Sequence, residues 1–427
     1  MIAYKVARLA LALALGVSLC SLPVIAYAQT GGTGYPAGKG DSQTSVPAAP
    51  VVNTSQVPVA IQELRRHMLD SSVSTLTFHN MDEIFTTRKV GRSGAVWELP
   101  SHTALLNVSY NWAGQTYTSD QFLERTYTNA LLVIKNGQIV SETYRNNTNA
   151  QTHFMSWSMA KSITSILIGK ALEEGRIKSL DDKIVTYLPE LKEGGYKDAT
   201  IRQVLEMRSG VDYEERYDFA HPGDAARNHE SSLVENVTRF ADFARTVKSK
   251  AVPGTLFEYK TLDTAVLGWL VERVTGMNAS TYLASRVWEP LGAESDGFYI
   301  MDGEPGVGRE FTGAGYNATL RDYGRLGLMM LDGGVANGHR ILSEAWVKES
   351  TAPATPEGPE GGYGYQWWTV PGSDAYYAVG LQGQFIYVDP TSKTVIVKLS
   401  YFPPDNEAVY GEALTYMAAA SAWKPVN

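Results

Sequence analysis

A serine and a lysine three positions apart, Ser158 and Lys161, stand at the start of a long apolar run. Apolar residues recur at helical spacing from Met159 onward, so residues 159–172 are predicted to form a buried helix. Side chains three positions apart share a helix face, and the Ser158 hydroxyl can therefore meet the Lys161 amine at the first turn. A serine with a base beside it is the minimum arrangement for covalent acyl transfer.

A serine at a helix start is more often a simple N-cap. Such a cap favours glutamate or glutamine three positions later, whereas this chain has Lys161 there. The positive end of the helix dipole and burial should both lower the pKa of that lysine, which favours the neutral form that a general base needs. Spacing alone is weak, because Ser421 and Lys424 repeat it just before Pro425, and we interpret that second pair as coincidental.

The first 28 residues have the pattern of an export signal. Lys5 and Arg8 precede the apolar residues 9–19, and the small-x-small sequence Ala26-Tyr27-Ala28 follows. We therefore expect cleavage after Ala28 and a periplasmic or secreted product. The apolar run is too short for an ordinary membrane span, so no membrane anchor is expected after cleavage.

Composition excludes several classes of function. The only cysteine lies in the predicted signal, which excludes disulfides, thiol catalysis and cysteine zinc sites from the mature chain. The seven histidines show no metal-ligand spacing, and no metal or cofactor is expected. A net charge of −8 does not suit nucleic acid or anionic lipid. No GxSxG motif is present, which argues against an α/β-hydrolase nucleophile elbow.

Local patterns divide the chain into a strand-rich beginning and end and a helical middle. Residues 29–58 are rich in Gly, Ser, Thr, Pro and Ala and are predicted to be a flexible linker. Two β-rich runs flank Asn136-Gly137, a strong type I′ hairpin signal within 130–144. Helices are predicted at 59–70, 200–207, 261–274, 320–331 and 407–420, and strands at 376–379, 385–388 and 394–400.

These elements predict an α+β protein with three α/β/α layers. One domain, with a central antiparallel sheet flanked by helices, would be formed by residues 59–170 and 341–427. An inserted all-helical domain would be formed by residues 171–340. A cleft between the two would expose the start of the Ser158 helix, where a small molecule could bind.

Two further segments could complete an acyl-transfer site. The segment PGTLFEYKT places Tyr259 just before a predicted helix, with Thr261 two residues later. The segment AVGLQGQ, which includes Gly380 and Leu381, predicts a glycine-bearing edge strand whose backbone N–H groups could face a cleft. Taken singly, a tyrosine among 24 is more often a packing residue, and the second segment is simply a strand, a turn and a strand.

The order of these pieces resembles the serine β-lactamase and penicillin-binding protein superfamily: a hairpin, Ser-x-x-Lys at a helix start, Tyr-x-Thr before a helix, and a glycine-bearing strand. Within it the chain resembles the class C-like branch of esterases, D-aminopeptidases and 6-aminohexanoate-dimer hydrolases. The phrases SMAKSITSILIG, FEYKTLDTAVLGWLVERVTG and FTGAGYNATLRDYGRLG look closest to the dimer hydrolases. The resemblance extends from about residue 77 to the end.

Carried over by position, the resemblance makes Ser158 the nucleophile, Lys161 its base and Tyr259 the tyrosine that passes protons with the lysine. It makes the backbone N–H groups of Ser158 and Leu381 the oxyanion hole. Thr261, which stands where class C β-lactamases have asparagine, would contact substrate.

The third motif departs from the family pattern. Ala378-Val379-Gly380 replaces Lys-Thr-Gly, so the motif has no cation to hold the carboxylate of a β-lactam. This departure counts against true β-lactamase or cell-wall peptidase activity. The glycine of the motif is present as Gly380, which is expected to line the substrate-binding site.

The acidic segment VDYEERYD follows a predicted helix end and is expected to lie at the rim of the cleft. It is either a solvated loop or a subsite whose carboxylate receives the ammonium group of an amino-acid-type amide. Asp212 and Glu215 are the candidates for this carboxylate, Glu214 and Asp218 are the other acidic residues of the segment, and Tyr213 and Tyr217 could line the same pocket.

The expected function is hydrolysis of a small amide or ester through an acyl-serine, similar to that of 6-aminohexanoate-dimer hydrolases. Two alternatives remain: a class C-type β-lactamase, D-aminopeptidase or carboxylesterase, and a non-catalytic ligand-binding member of the same fold.

Overall fold

The computed structural model describes residues 54–102, 106–217, 221–354, 361–404, 406 and 408–424. The predicted signal peptide and most of the predicted linker 29–58 lie outside the described residues. Within the described part, no helix is both long enough and apolar enough to cross a membrane.

The strands, in chain order, are β1 (Thr87–Val90), β2 (Ser109–Trp112), β3 (Gln115–Thr118), β4 (Thr128–Lys135), β5 (Gln138–Tyr144), β6 (Phe154–Met155), β7 (Gly297–Ile300), β8 (Tyr316–Ala318), β9 (Val335–Ala336), β10 (His339–Arg340), β11 (Trp368–Thr369), β12 (Tyr376–Gly380), β13 (Gln384–Asp389) and β14 (Thr394–Ser400).

The α-helices are α1 (Val59–His67), α2 (Ser74–Thr77), α3 (Met81–Ile84), α4 (Ser119–Arg125), α5 (Met159–Glu173), α6 (Ile201–Leu205), α7 (Asp224–His229), α8 (Thr261–Thr275), α9 (Ala279–Leu283), α10 (Glu289–Leu291), α11 (Leu320–Leu331), α12 (Glu344–Ser350) and α13 (Ala408–Ala422). Short 3-10 or π segments lie at Ile184–Thr186, Pro189–Leu191, Glu230–Val234, Phe240–Arg245 and Ala284–Trp288.

The main sheet has six strands in the order β11-β12-β13-β14-β4-β5, and every neighbouring pair is antiparallel. All eight residues of β4 are buried, because helices cover both faces of the sheet. Asn136 and Gly137 join β4 to β5 with φ angles of 49° and 76°, the left-handed pair that a type I′ turn needs. The predicted hairpin is therefore confirmed.

Two apolar cores lie on opposite faces of the sheet. On one face α4 and α13 pack together, and the rings of Phe122 and Tyr416 stack with centroids 3.7 Å apart. On the other face α11 lies close to the sheet, since Cβ atoms added at Gly324 and Gly327 would fall 2.6 Å from Leu132 and 2.5 Å from Val395. The predicted α+β class, with a central antiparallel sheet flanked by helices, is confirmed.

The range 171–340 was predicted to be an all-helical domain, but helices make up less than half of it, and irregular segments and short strands separate them among the described residues. It contributes β7 and β8 to a second sheet of order β1-β7-β8-β6, and α11 packs on the main sheet. The strands β7 and β8 were not predicted because three or four residues are too few to show an alternating pattern. The packing of α11 on the main sheet was not predicted because a helix sequence shows which face is apolar but not what that face contacts. The domain boundaries stay a prediction.

The candidate site lies where these parts meet. Helix α5 packs against α8 and also against β12 and β13 of the main sheet. The β6 strand that leads into α5 pairs with β8 of the second sheet.

Candidate functional site

Ser158 is held at the start of α5 by a turn after β6. Trp157 has a φ of 46°, in the left-handed region, and the amide of Ser156 donates to the Tyr316 carbonyl at 2.7 Å. Ser158 itself has helical angles of −66° and −5°, and its side chain caps no backbone amide. The serine is therefore not a simple N-cap, and its hydroxyl is available to Lys161.

Lys161 is almost fully buried beneath Ser158. Its Nζ donates to Ser158 Oγ at 2.9 Å, to Thr261 Oγ1 at 3.1 Å and to the Gly313 carbonyl at 2.8 Å. Burial lowers the pKa of the amine to about 8, while the Glu215 carboxylate acts in the opposite direction. A lysine with this pKa has a substantial neutral fraction near neutral pH.

Tyr259 lies between the turn at Gly254, which has a φ of 87°, and the start of α8. The Lys161 Nζ is 4.9 Å from the centroid of its ring. Burial raises the pKa of the phenol, and the Ser158 hydroxyl partly offsets that rise. Tyr259 therefore keeps its proton at neutral pH and can donate it.

An aromatic wall surrounds Tyr259, and we define it as Phe257, Tyr363 and Trp368. Tyr259 stacks on Trp368 with centroids 5.8 Å apart, and Tyr363 meets both rings edge-on. Phe257 packs on Tyr363 with centroids 5.3 Å apart and remains 38% exposed. The ring of Tyr259 is thus oriented by packing, and this side of the site presents apolar surface to solvent.

Gly380, at the end of β12, touches the backbone that carries Ser158. A Cβ atom at Gly380 would fall 2.3 Å from the Ser156 carbonyl and 3.0 Å from the Ser158 amide nitrogen. Only glycine allows this approach. Among the described residues, the amides of Ser158 and Leu381 donate to no backbone or side-chain acceptor. The residue that precedes Leu381 is thus packed against the Ser158 backbone, and the oxyanion hole formed by these two amides stays a prediction.

Glu215 reaches the site from the acidic loop. Its Oε2 accepts from the Thr261 amide at 2.9 Å, and its Oε1 accepts from Thr261 Oγ1 in a short hydrogen bond. The Tyr217 hydroxyl donates to the same Oε1 at 3.0 Å. A continuous path of hydrogen bonds thus joins Lys161, Thr261 and Glu215.

The other residues predicted for substrate binding lie elsewhere. Tyr213 is buried and packs on Phe243 with centroids 5.5 Å apart, so the structure places it in the core, and its part in lining a substrate pocket stays a prediction. Asp212 is exposed, and Glu214 pairs with Arg216 at 3.0 Å. Asp218 lies outside the described residues. Among the carboxylates of this loop that the structure describes, Glu215 is the one whose charge acts on both Lys161 and Tyr259.

The sequence did not point to Gly313 as a partner of Lys161, and it did not predict the contact between Glu215 and Thr261. Gly313 presents its carbonyl to Lys161, and a Cβ there would fall 2.6 Å from the Thr261 side chain. It belongs to the phrase FTGAGYNATLRDYGRLG, so the family resemblance was the one signal that pointed to this segment. Glu215 was expected to contact substrate, whereas its oxygens bind Thr261 and Tyr217.

The second serine–lysine pair has a structural explanation. The Ser421 hydroxyl hydrogen-bonds to Asp389, and its Oγ lies 2.6 Å from Ser392 Oγ. This cluster fastens the end of α13 to the turn between β13 and β14. The described residues contain no group of three or more His, Cys, Asp or Glu side chains that could hold a metal.

Comparisons with known proteins identify the family of this chain. A family model described as Beta-lactamase matches residues 120–420. The chain is 34% identical over 310 residues to a 6-aminohexanoate-dimer hydrolase of Paenarthrobacter ureafaciens, covering 68% of this chain and 77% of the relative. It is 25% identical over 176 residues to the protein flp of Staphylococcus aureus (strain COL), covering 38% and 33% respectively.

Solved structures show the same fold. A Bacillus anthracis protein, whose own assignment as a 6-aminohexanoate-dimer hydrolase is provisional, superposes with a TM-score of 0.74 at 27% identity, covering 83% of this chain and 96% of that one. A penicillin-binding protein from Bacillus halodurans superposes with a TM-score of 0.55 at 20% identity, covering 69% and 99%, and shows the fold alone. The chain belongs to the beta-lactamase family and has the fold that serine β-lactamases share with penicillin-binding proteins.

Proposed function

We propose that this protein is a serine amidase or esterase that cleaves a small, linear amide or ester through an acyl-Ser158 intermediate. The observation that carries the proposal is the contact of 2.9 Å between the buried Lys161 Nζ and Ser158 Oγ. It joins a nucleophile to a base whose pKa burial has lowered to about 8. The relation to a 6-aminohexanoate-dimer hydrolase supports an amide of the ω-amino-acid type as substrate.

Acylation begins when neutral Lys161 accepts the Ser158 hydroxyl proton and the oxygen attacks the substrate carbonyl carbon. The carbonyl oxygen becomes an oxyanion, which accepts hydrogen bonds from the amides of Ser158 and Leu381. Tyr259 donates its proton to the leaving nitrogen or oxygen as the bond to the acyl carbon breaks. The Lys161 ammonium then restores the proton of Tyr259.

Deacylation uses the same groups in reverse. A water molecule gives a proton to the Tyr259–Lys161 pair as its oxygen attacks the acyl-serine carbonyl. The tetrahedral intermediate collapses, Ser158 leaves with a proton returned from the pair, and the acid is released. Proton transfer within a positioned pair accelerates both halves of the reaction.

The third motif supports an amidase or esterase over a β-lactamase. Ala378 stands where the family motif has lysine, and its side chain is buried in β12. A β-lactam carboxylate would find no cation from this strand. A panel of p-nitrophenyl esters, short ω-amino-acid amides and the chromogenic cephalosporin nitrocefin tests this directly. Turnover of nitrocefin in preference to the amides and esters would contradict the proposal.

Labelling with a fluorophosphonate probe, followed by intact mass and peptide mapping, tests the nucleophile. We expect one adduct at Ser158, and loss of both labelling and turnover in Ser158→Ala. Ser165→Ala is the matched control, because Ser165 is buried in the same helix and its hydroxyl has no hydrogen-bond partner among the described residues. Labelling at another residue, or full activity of Ser158→Ala, would overturn the assignment.

A further inference from the structure

The turn formed by residues 381–383 joins β12 to β13 and carries the Leu381 amide. Gln382 and Gly383 have φ angles of 55° and 89°, in the left-handed region that L residues rarely adopt. A Cβ atom at Gly383 would fall 2.4 Å from Ser400 Oγ, so only glycine fits there. A turn of this shape needs fixed contacts to keep one conformation.

Buried side chains supply those contacts to each carbonyl of the turn. Gln384 Nε2 donates to the Leu381 carbonyl at 2.9 Å. Ser400 Oγ lies 3.0 Å from the Gln382 carbonyl and 2.6 Å from the Gly383 carbonyl. All three carbonyls are thus held from the interior of the protein. The Gln382 amide is held as well, because it donates to the Tyr410 hydroxyl at 3.0 Å.

Lys398 fixes the direction of the Ser400 hydroxyl. Its Nζ donates to Ser400 Oγ at 2.7 Å and to the Thr126 carbonyl at 3.1 Å. A hydroxyl that accepts from lysine must turn its single proton elsewhere, and the turn carbonyls are the acceptors within reach. Lys398 is completely buried, near the rings of Phe122 and Phe402. A lysine is seldom retained in such a place unless its donors are used.

The contacts on the turn determine where the Leu381 amide points. The preceding carbonyl, that of Gly380, accepts from the Gly383 amide at 3.3 Å and from the Tyr410 hydroxyl at 3.4 Å. Because a trans peptide directs N–H opposite to C=O, the Leu381 N–H points away from those donors. Gly380 itself packs against the amide nitrogen of Ser158. The Leu381 N–H and the Ser158 N–H therefore lie in the same part of the site.

We propose that Lys398 is a positioning residue for acyl transfer: through Ser400 it holds the turn at residues 381–383 so that the Leu381 N–H stays directed at the developing oxyanion. The inference rests on the proposed function. Lys398 touches no reacting atom, and its effect is expected in the stabilisation of the tetrahedral intermediate, not in substrate binding.

Ser400→Ala and Lys398→Met test the proposal, with Ser421→Ala as the matched control. Ser421 is an equally buried serine that is hydrogen-bonded to Asp389 at the far end of α13. On a p-nitrophenyl ester we expect each test variant to lose about tenfold in kcat with little change in KM, because the loss of a whole oxyanion donor costs about 100-fold or more. The affinity of a boronic acid, whose tetrahedral adduct places an oxygen in the same hole, should fall in parallel.

Unchanged kcat and boronate affinity in both test variants would overturn the proposal, as would an equal loss in Ser421→Ala. Amide hydrogen exchange over residues 381–383 gives a readout that does not need activity. Exchange there should be faster in Ser400→Ala than in the wild type and unchanged in Ser421→Ala, and no difference would also overturn it. A wild-type protein that hydrolyses no ester and takes no fluorophosphonate would refute the proposed function instead.

Discussion

Glu215→Gln should shift the pH dependence of the reaction towards acid. The carboxylate of Glu215 stabilises the ammonium form of Lys161, since its charge raises the pKa that burial lowers to about 8. Removing the charge therefore lowers the lysine pKa and leaves more neutral base at a given pH. Glutamine keeps one oxygen that can accept from the Thr261 amide, while its NH2 group takes the place of Oε1, so the Thr261 and Tyr217 hydroxyls must turn their protons elsewhere as the charge is lost.

The magnitude follows from the path Lys161–Thr261–Glu215, in which Thr261 Oγ1 bridges the two charged groups. Two hydrogen bonds in series put the charges roughly 5 Å apart, which corresponds to about 3 kcal/mol at an effective dielectric constant of about 20. Glu215 is partly exposed, and solvent screening reduces this to roughly half. At about 1.4 kcal/mol per pKa unit, the shift is about one unit.

The assay is the pH profile of kcat/KM, which reports the pKa of the free enzyme's base. The wild-type acid limb should have a midpoint near the Lys161 pKa of about 8. The Glu215→Gln midpoint should be about one unit lower, which raises kcat/KM at pH 7 about fivefold through the neutral fraction alone. Glu214→Gln is the control, because Glu214 pairs with Arg216 at the surface. If the midpoint of the acid limb in Glu215→Gln equals the wild-type midpoint or lies at higher pH, the assignment of Lys161 as the base is refuted.

Three further outcomes are expected. Tyr259→Phe should lower kcat for an amide about 100-fold but much less for a p-nitrophenyl ester, whose leaving group needs no proton, and Tyr363→Phe should affect neither in steady-state kinetics. Gly327→Ala should lower the free energy of unfolding by about 1–3 kcal/mol in urea titrations because the new methyl overlaps Val395, whereas Gly91→Ala, which meets only ordinary contacts, should not. Export of the full chain from a bacterial host should yield a product beginning at Gln29, and N-terminal mass analysis showing retention of residues 1–28 would contradict the predicted signal.

Elements with strong local signals could be predicted from the sequence nearly to the residue. Helix α11 spans Leu320–Leu331 and β14 spans Thr394–Ser400, as their patterns predicted. The start of α8 at Thr261 and the left-handed Gly276 that ends it were equally readable. In each case an apolar period or a turn residue specifies the local backbone, and packing then reinforces that preference.

The sequence by itself also named the candidate nucleophile, its base and the tyrosine. The spacing of Ser158 and Lys161 was weak evidence alone, and the choice of these two residues and of Tyr259 rested on the order of the motifs and on the family resemblance that this order carries. The sequence did not determine which distant groups surround Lys161. The Gly313 carbonyl is 152 positions from the lysine, and no local pattern predicts that a backbone oxygen will face it.

Tertiary structure alone decided where the side chains of the acidic loop lie and what holds the turn at residues 381–383. Tyr213 and Glu215 are two positions apart in an irregular segment, yet one enters the core and the other binds Thr261. In the sequence Lys398 is one lysine in a predicted strand, and the structure buries it beneath the turn that carries the Leu381 amide. Local periodicity reports which face of an element is apolar, but the partner of a buried polar group depends on how the layers pack.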